Sequence, residues 1–330
     1  MFKINCPRWT FVIVTIATVT ILMFIRQLYT IESNFQVYSP SAVQFDKVDS
    51  TSNQYAVCIL MATPDTTLFH WLEHLKGQNI SIFIMSDEER GITEFEHKNG
   101  FMILRIKATD SVRNGYQMLS NIQNRPPKGI YAVYNMIKNS SPPRLANSWD
   151  KALYFFNRLS PKQYKFIWFI ENDVYIPSRI SFLKVHQEAQ ARDADLVIAR
   201  NDVEVSPFTQ REWLWTKIAR TFKMPPPWYG SVACATGLSQ RMMAKIDHYA
   251  QKHMHLEYLE VFFNTLAMHS NFSVWNPPEL HSIFVRKAWT CTDVKSQPMN
   301  WYHPIKNVRE FIGECVLIEQ DWLRSNSSLY

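Results

Sequence analysis

Apolar runs of strand length alternate with polar stretches of helix length along most of this chain. Residues 54–61 (QYAVCILM), 80–85 (ISIFIM) and 101–106 (FMILRI) are rich in β-branched and aromatic side chains and too short for an apolar helix, so each predicts a strand. A further run, 166–170 (FIWFI), is apolar at every position, which suits a strand buried on both faces; residues 196–199 (LVIA) make another. Between them, 148–159 (SWDKALYFFNRL) predicts an amphipathic helix with Ser148 as N-cap and Trp149, Leu153 and Phe156 on one face. Residues 70–75, 180–192, 239–253 and 256–269 also read as helical. Short strands separated by helices predict an α/β domain with a mostly parallel central sheet flanked by helices.

The pattern differs at the start. Residues 10–25 (TFVIVTIATVTILMFI) carry no charge and lie between Arg8 and Arg26, which reads as a membrane segment or a signal sequence. The following RQLYTIESNF offers no small-x-small cleavage site, so an uncleaved signal-anchor over 10–29 is expected, behind a cytosolic tail of residues 1–9; a cleaved signal peptide is the alternative. Polar, Ser-rich residues 30–53 read as a stem, and 54–330 as a lumenal domain. Sequons at Asn79, Asn139, Asn271 and Asn326 agree with that address. Of five cysteines, Cys6 falls on the cytosolic side. An oxidising lumen permits disulfides among Cys58, Cys234, Cys291 and Cys315, with Cys291–Cys315 the favoured pair because both lie in the irregular C-terminal part. Cys58, inside an apolar strand, reads as a buried thiol.

Composition removes several function classes. The chain has 8 glycines and no Gly-rich phosphate loop, which argues against dinucleotide-binding and ATPase readings. The net charge of +6 fits an anionic substrate without demanding one, and no basic run with interleaved aromatics points to nucleic acid.

Candidate chemistry gathers at YKFIWFIENDVYIP, residues 164–177. Glu171 and Asp173 stand at the carboxyl end of the predicted buried strand, where open α/β sheets bind ligands, and strand alternation turns them to one side with Asn172 on the other. Two adjacent carboxylates repel unless a cation joins them, so they read either as a divalent-metal site or as a polar strand end that caps a helix or pairs with an arginine. Asp65 and Asp87 stand just past earlier strand ends, as ligands or as helix caps. Trp213, Trp215, Trp228 and Tyr229 fall in an aromatic, Pro-rich stretch, as sugar-stacking faces or as packed core. Glu257 and Glu260 lie on a predicted helix, and His303, held extended by the proline after it, is either structural or a ligand.

Taken together, IWFIENDVYI at the end of a central strand, the short N-terminal anchor and stem, the late YLEVFF segment and His303 resemble the GT-A fold glycosyltransferases of the secretory pathway. Glu-Asn-Asp departs from the usual Asp-x-Asp. The resemblance implies a single GT-A-like domain behind a transmembrane helix, with 54–176 as nucleotide-binding half and 177–330 as acceptor-binding half. It also implies a nucleotide-sugar donor, a UDP-sugar in the first instance, and a glycan or glycoconjugate acceptor. Asp173, Glu171 and His303 would hold Mn²⁺ or Mg²⁺; Asp65, Asp87, Asp150, Lys151 and Glu171 would face the nucleotide. Glu260, with Glu257 as second choice, would be the catalytic base. Such a protein is a single-pass type II protein of the Golgi membrane. A catalytically inactive GT-A-like lectin or assembly partner is the alternative. A phosphotransferase or hydrolase would need tight clusters of further His and Asp ligands that this sequence lacks.

Overall fold

The strand with two apolar faces is the centre of the sheet. The structure, a computed structural model, describes residues 54–64, 72–76, 79–88, 91–118, 146–200, 202–204, 222–284, 286–305, 311 and 315. The expected anchor, cytosolic tail and stem, Asp65, Asn139, Asn326, Trp213 and Trp215 lie outside these residues. No helix among the described residues is long and apolar enough to cross a membrane.

Strands β1 (Tyr55–Met61), β2 (Ile80–Ser86), β4 (Phe101–Arg105) and β5 (Phe166–Glu171) form a parallel block in the spatial order β5-β1-β2-β4. Beyond β4 the charged strand β3 (Glu94–Lys98) closes the sheet antiparallel. On the other side, β9 (Ala235–Ser239) inserts antiparallel between β5 and the two-residue β6 (Leu196–Val197), and β10 (Val274–Trp275) forms the far edge. One eight-stranded sheet thus draws strands from both 54–176 and 177–330. A separate two-stranded ribbon pairs β7 (Asp202–Glu204) with β8 (Trp228–Gly230).

Period-two alternation sorts the core into two layers. From β1 and β5, Ala56, Cys58, Leu60, Ile167 and Phe169 face one side. There they meet α2 (Ser148–Tyr154) with its π-helical continuation (Phe155–Leu159), α4 (Gln240–His253) and α5 (Leu259–His269). Val57, Ile59, Met61, Phe166, Trp168 and Ile170 face the other, against α3 (Arg179–Ala191) and the C-terminal residues Trp301 and Tyr302. Two shorter helices, α1 (Ala108–Arg113) and α6 (Cys291–Ser296), complete the described α-helices. Cys291 is bonded to Cys315, and Cys58 is a buried free thiol, as the sequence suggested.

Local boundaries differ from expectation in instructive ways. The N-cap of α2 is Asn147, not Ser148: its side chain accepts from the Asp150 N–H while Asp150 reaches back to the Asn147 N–H, a reciprocal capping box. Strand β9 (ATGLS) has no apolar periodicity and was not expected. It fits because Gly237 has no side chain: a Cβ there would lie 2.5 Å from Cε1 and 2.6 Å from Cζ of the buried Phe166 ring on β5. Gly237→Ala is therefore expected to destabilise the fold by about 1–3 kcal/mol, an overpacking cost, measurable as a lower urea midpoint with an unchanged m-value.

His186 on α3 sits behind this part of the sheet, where Trp168 Nε1 donates to its Nδ1 at 3.2 Å and the Phe182 ring stacks parallel to it. Burial pushes its pKa down to about 4. The folded chain keeps the ring neutral, so as pH falls the unfolded chain takes up that proton first. This contribution is intact above pH 6.5 and is lost as the pH drops towards 4, at a cost of about 3 kcal/mol. Urea unfolding of wild type and His186→Gln at both pH values checks it: the variant should show that much less acid destabilisation.

Candidate active site

Strand β5 delivers its acids to the carboxyl edge of the parallel block. Glu171 is the last strand residue, and the chain then turns sharply, with the Val174 N–H donating to the Glu171 carbonyl at 3.0 Å. The Asn172 N–H donates to the Leu60 carbonyl on β1, and Asn172 itself is exposed. Convergence of Glu171 and Asp173 is thus a product of this turn rather than of strand pleating. Both remain partly exposed at the surface of the sheet's end, with side chains 32% and 29% accessible.

His303 comes from more than a hundred residues away in sequence, yet backbone pairing fixes it against the same edge. Tyr302 pairs with Tyr175 just beyond the turn, and the Ile305 N–H donates to the Asp173 carbonyl at 2.9 Å. The peptide bond between His303 and Pro304 is cis. Its imidazole is buried, with Nδ1 2.6 Å from the Phe284 carbonyl oxygen. That carbonyl can only accept, so Nδ1 carries the proton, and Nε2 is directed at the carboxylates. It lies 3.2 Å from Asp173 Oδ1 and 4.0 Å from Glu171 Oε2. Burial pulls the His303 pKa down, but the hydrogen bond and charge of Asp173, the Phe284 carbonyl and Glu171 outweigh it and leave the pKa raised.

Two ligand atoms held at right angles, each about 2.2 Å from one ion, lie roughly 3 Å apart. The Asp173–His303 separation matches that value, and Glu171 is within a small side-chain adjustment of it. Two carboxylates and one imidazole form a donor set suited to a divalent cation, and the nitrogen ligand favours Mn²⁺ over Mg²⁺.

Four further side chains belong to this site. Trp149, on α2, donates from Nε1 to Glu171 Oε1 at 2.8 Å and so fixes the carboxylate's orientation. Glu260, in the first turn of α5, accepts from the Tyr258 hydroxyl at 2.7 Å. Burial raises its pKa, the Tyr258 hydrogen bond lowers it, Glu171 raises it and His303 lowers it, with a net rise. Glu171 and His303 act on Glu260 through space, so this acid belongs to the same electrostatic centre. Cys234 lies in the turn leading into β9; its thiol is held protonated by burial and by the charge and hydrogen-bond acceptance of Glu171. Glu171, Cys234 and His303 offer ligand atoms all within 4.8 Å of one another. Sequence reading placed Trp149 only on a packing face and Cys234 only among possible disulfide partners. The signal for Cys234 was arithmetical: pairing Cys291 with Cys315 leaves it over.

Other expected site residues stand elsewhere or serve the scaffold. Asp150 is fully buried, and its two carboxylate oxygens accept the Met118 and Asn147 N–H groups, so it caps α2. Glu257 precedes α5 instead of riding on it. It turns inward to accept from the Tyr249 hydroxyl and the Lys223 N–H, with His255 3.4 Å away. Lys151 is buried beneath the end of β2, with Nζ 3.3 Å from the Asp87 carbonyl and 3.5 Å from Asp87 Oδ1. It therefore anchors Asp87, which stands just past β2. Trp228 is packed core, its ring against Phe222 and its Nε1 donating to the Met224 carbonyl. Tyr229 on β8 is half-buried.

The chain matches no protein-family model and no curated protein. Among solved structures it is similar to mouse xyloside xylosyltransferase 1 in its apo form, with 13% sequence identity and a TM-score of 0.34, over 68% of this chain and 84% of that chain. So loose a superposition carries no argument, and the functional reading stands on the chain's own geometry.

Proposed function

We propose that this chain is a metal-dependent glycosyltransferase that moves a sugar from a nucleotide-sugar, in the first instance a UDP-sugar, to a glycan or glycoconjugate acceptor. The observation that carries the reading is the convergence of Glu171, Asp173 and the Nε2 of His303 at the carboxyl end of the parallel strands. Asp173 and His303, with Glu171, would hold Mn²⁺ or Mg²⁺. When bound there, the ion supplies Lewis-acid neutralisation of the diphosphate leaving group's charge.

The chain's own residues do the rest. Trp149 keeps Glu171 aimed at the centre, and the Phe284 carbonyl keeps His303 in the tautomer whose Nε2 can donate a lone pair. Asp87, anchored by Lys151 just past β2, would receive the ribose or base, together with Asp65, which follows β1 by four residues in the sequence. Glu260 would take the proton from the acceptor hydroxyl; burial raises its pKa and so makes it a stronger base than an ordinary carboxylate, and the Tyr258 hydroxyl holds its carboxylate in place.

The same reading makes the chain a single-pass type II protein of the Golgi membrane, with residues 10–29 as signal-anchor and 30–53 as stem. Support comes from the uncharged apolar run, from the Cys291–Cys315 disulfide, which needs an oxidising compartment, and from the exposed sequon residues Asn79 and Asn271.

The deciding experiment is Mn²⁺-dependent turnover of a panel of nucleotide-sugars by the purified chain. Release of nucleoside diphosphate from one donor, lost on chelation and restored by Mn²⁺, is the expected result. Absence of turnover with every donor, combined with unchanged donor binding in Asp173→Ala, would overturn the proposal in favour of an inactive lectin or assembly partner.

A further inference from the structure

The carboxyl edge of the sheet carries two overlapping donor sets, and they differ in chemical softness. Glu171 and His303 are common to both. Adding Asp173 makes a hard set of two carboxylates and an imidazole. Adding Cys234 makes a set of carboxylate, thiolate and imidazole, whose ligand atoms lie within 4.8 Å of one another. Three such protein ligands with a fourth position left open are a characteristic arrangement for zinc. The geometry points to a second metal-binding mode at this centre, in which a thiophilic divalent ion, Zn²⁺ or Cd²⁺, is held by Glu171, Cys234 and His303 and excludes the Mn²⁺-binding mode.

Several features prepare that mode. His303 is about nine-tenths buried, and its Nδ1–H is committed to the Phe284 carbonyl, so the lone pair it can offer is on Nε2, facing the cluster. Glu171 is oriented by Trp149 through one oxygen, leaving the other for an ion. Cys234 is a free thiol in contact with that carboxylate, whereas Cys291 and Cys315 are spent in a disulfide and Cys58 is enclosed by the sheet. Tetrahedral ligands around zinc stand about 3.5 Å apart, so the trio must contract by about 1 Å, a change that side-chain torsions supply. On binding, the thiol proton is displaced and sulfur becomes the ligand. Zinc outranks manganese in intrinsic affinity for a given nitrogen, oxygen and sulfur site, so the soft mode competes even when Mn²⁺ is in excess. Because both modes need Glu171 and His303, they cannot coexist, and Zn²⁺ acts as an inhibitor of whatever chemistry the hard mode supports.

This inference shares residues with the glycosyltransferase reading but does not rest on it, because its test reads ion binding alone. The purified full-length chain is titrated with Cd²⁺ while the thiolate-to-cadmium charge-transfer absorption is followed, and Mn²⁺ binding is followed separately by electron paramagnetic resonance. The expected result is a band that saturates at one ion per chain and displaces Mn²⁺. Cys234→Ala should abolish the band and weaken Cd²⁺ and Zn²⁺ binding by more than about a hundredfold, while Mn²⁺ affinity stays within a factor of about three. Asp173→Asn should do the reverse, losing Mn²⁺ and keeping the band. If Cys234→Ala lacks a cooperative melt, Cys234→Ser serves, with the same expectation. A wild-type chain with no band, a band that survives loss of Cys234, or Cd²⁺ and Mn²⁺ bound simultaneously would each overturn the inference. Failure of the donor-turnover assay leaves it standing.

Discussion

Asp173→Asn is expected to lower donor turnover by about a thousandfold at saturating Mn²⁺, the equivalent of roughly 4 kcal/mol of lost transition-state stabilisation. The amide keeps the size of the carboxylate but removes its charge, and Asp173 is the acid whose Oδ1 lies 3.2 Å from His303 Nε2. It should also weaken Mn²⁺ binding, so part of the loss returns when the ion concentration is raised. The fold should be kept, because the asparagine oxygen can still accept from His303 Nε2. Asp173 contributes its backbone carbonyl to Ile305, and substitution leaves that bond in place; its side chain is partly exposed and caps no helix. Thermal melting within a degree or two of wild type, together with the turnover loss, identifies the defect as chemical. Normal turnover in a well-folded Asp173→Asn protein would remove the main support for a metal-assisted mechanism.

Glu260→Gln is the second large effect, a fall of about 10²–10⁴ in kcat for transfer to an acceptor, the usual range for loss of a general base. The pH profile makes the assignment specific. A base works in its deprotonated form, so the rate should rise with pH through the Glu260 pKa, which burial above all has raised from the ordinary carboxylate range. Tyr258 donates to Glu260 and favours the ionised form, so Tyr258→Phe should move the acid limb of the profile to still higher pH while leaving the plateau rate largely intact. A glutamate that merely supports α5 would show lower stability without that displacement. The two substitutions also separate the roles: Asp173→Asn should impair hydrolysis of the donor and transfer alike, whereas Glu260→Gln should leave donor and Mn²⁺ affinity near wild type.

Much of the scaffold is legible in the amino-acid order because each part of it is locally encoded. Residues 54–61 and 166–170 read as strands from their apolar, β-branched and aromatic runs, and the structure assigns alternate residues of each to the two core layers. The helices α3 and α4 fall within a residue of their expected bounds, marked by Ser178 and Ser239 as N-caps. The Cys291–Cys315 pair was also within reach of the sequence. The unforeseen strands carry no such local signal. Strand β3 (EFEHK) is charged and is held at the edge by antiparallel pairing with β4 and by Arg105 bonding Glu96. Strand β9 depends on a glycine fitting against an aromatic ring seventy residues earlier in the chain, a complementarity that no window of neighbouring residues can display.

The site divides in the same way. By itself the sequence determined that two acids stand at the end of the central strand, because an apolar run that stops at Glu-Asn-Asp can stop only at the rim of the core. The tertiary structure decided which other groups meet them. The pairing of Tyr302 with Tyr175 carries His303 to Asp173, and the antiparallel entry of β9 brings Cys234 to Glu171. Three other acids were sorted in the same way: Asp150 turned to cap a helix, Glu257 turned inward, and Glu260 came near enough to Glu171 and His303 to feel their charges. Periodicity reports how a segment presents its faces to its surroundings, whereas which charge meets which is fixed by contacts between distant segments that form only when the sheet closes.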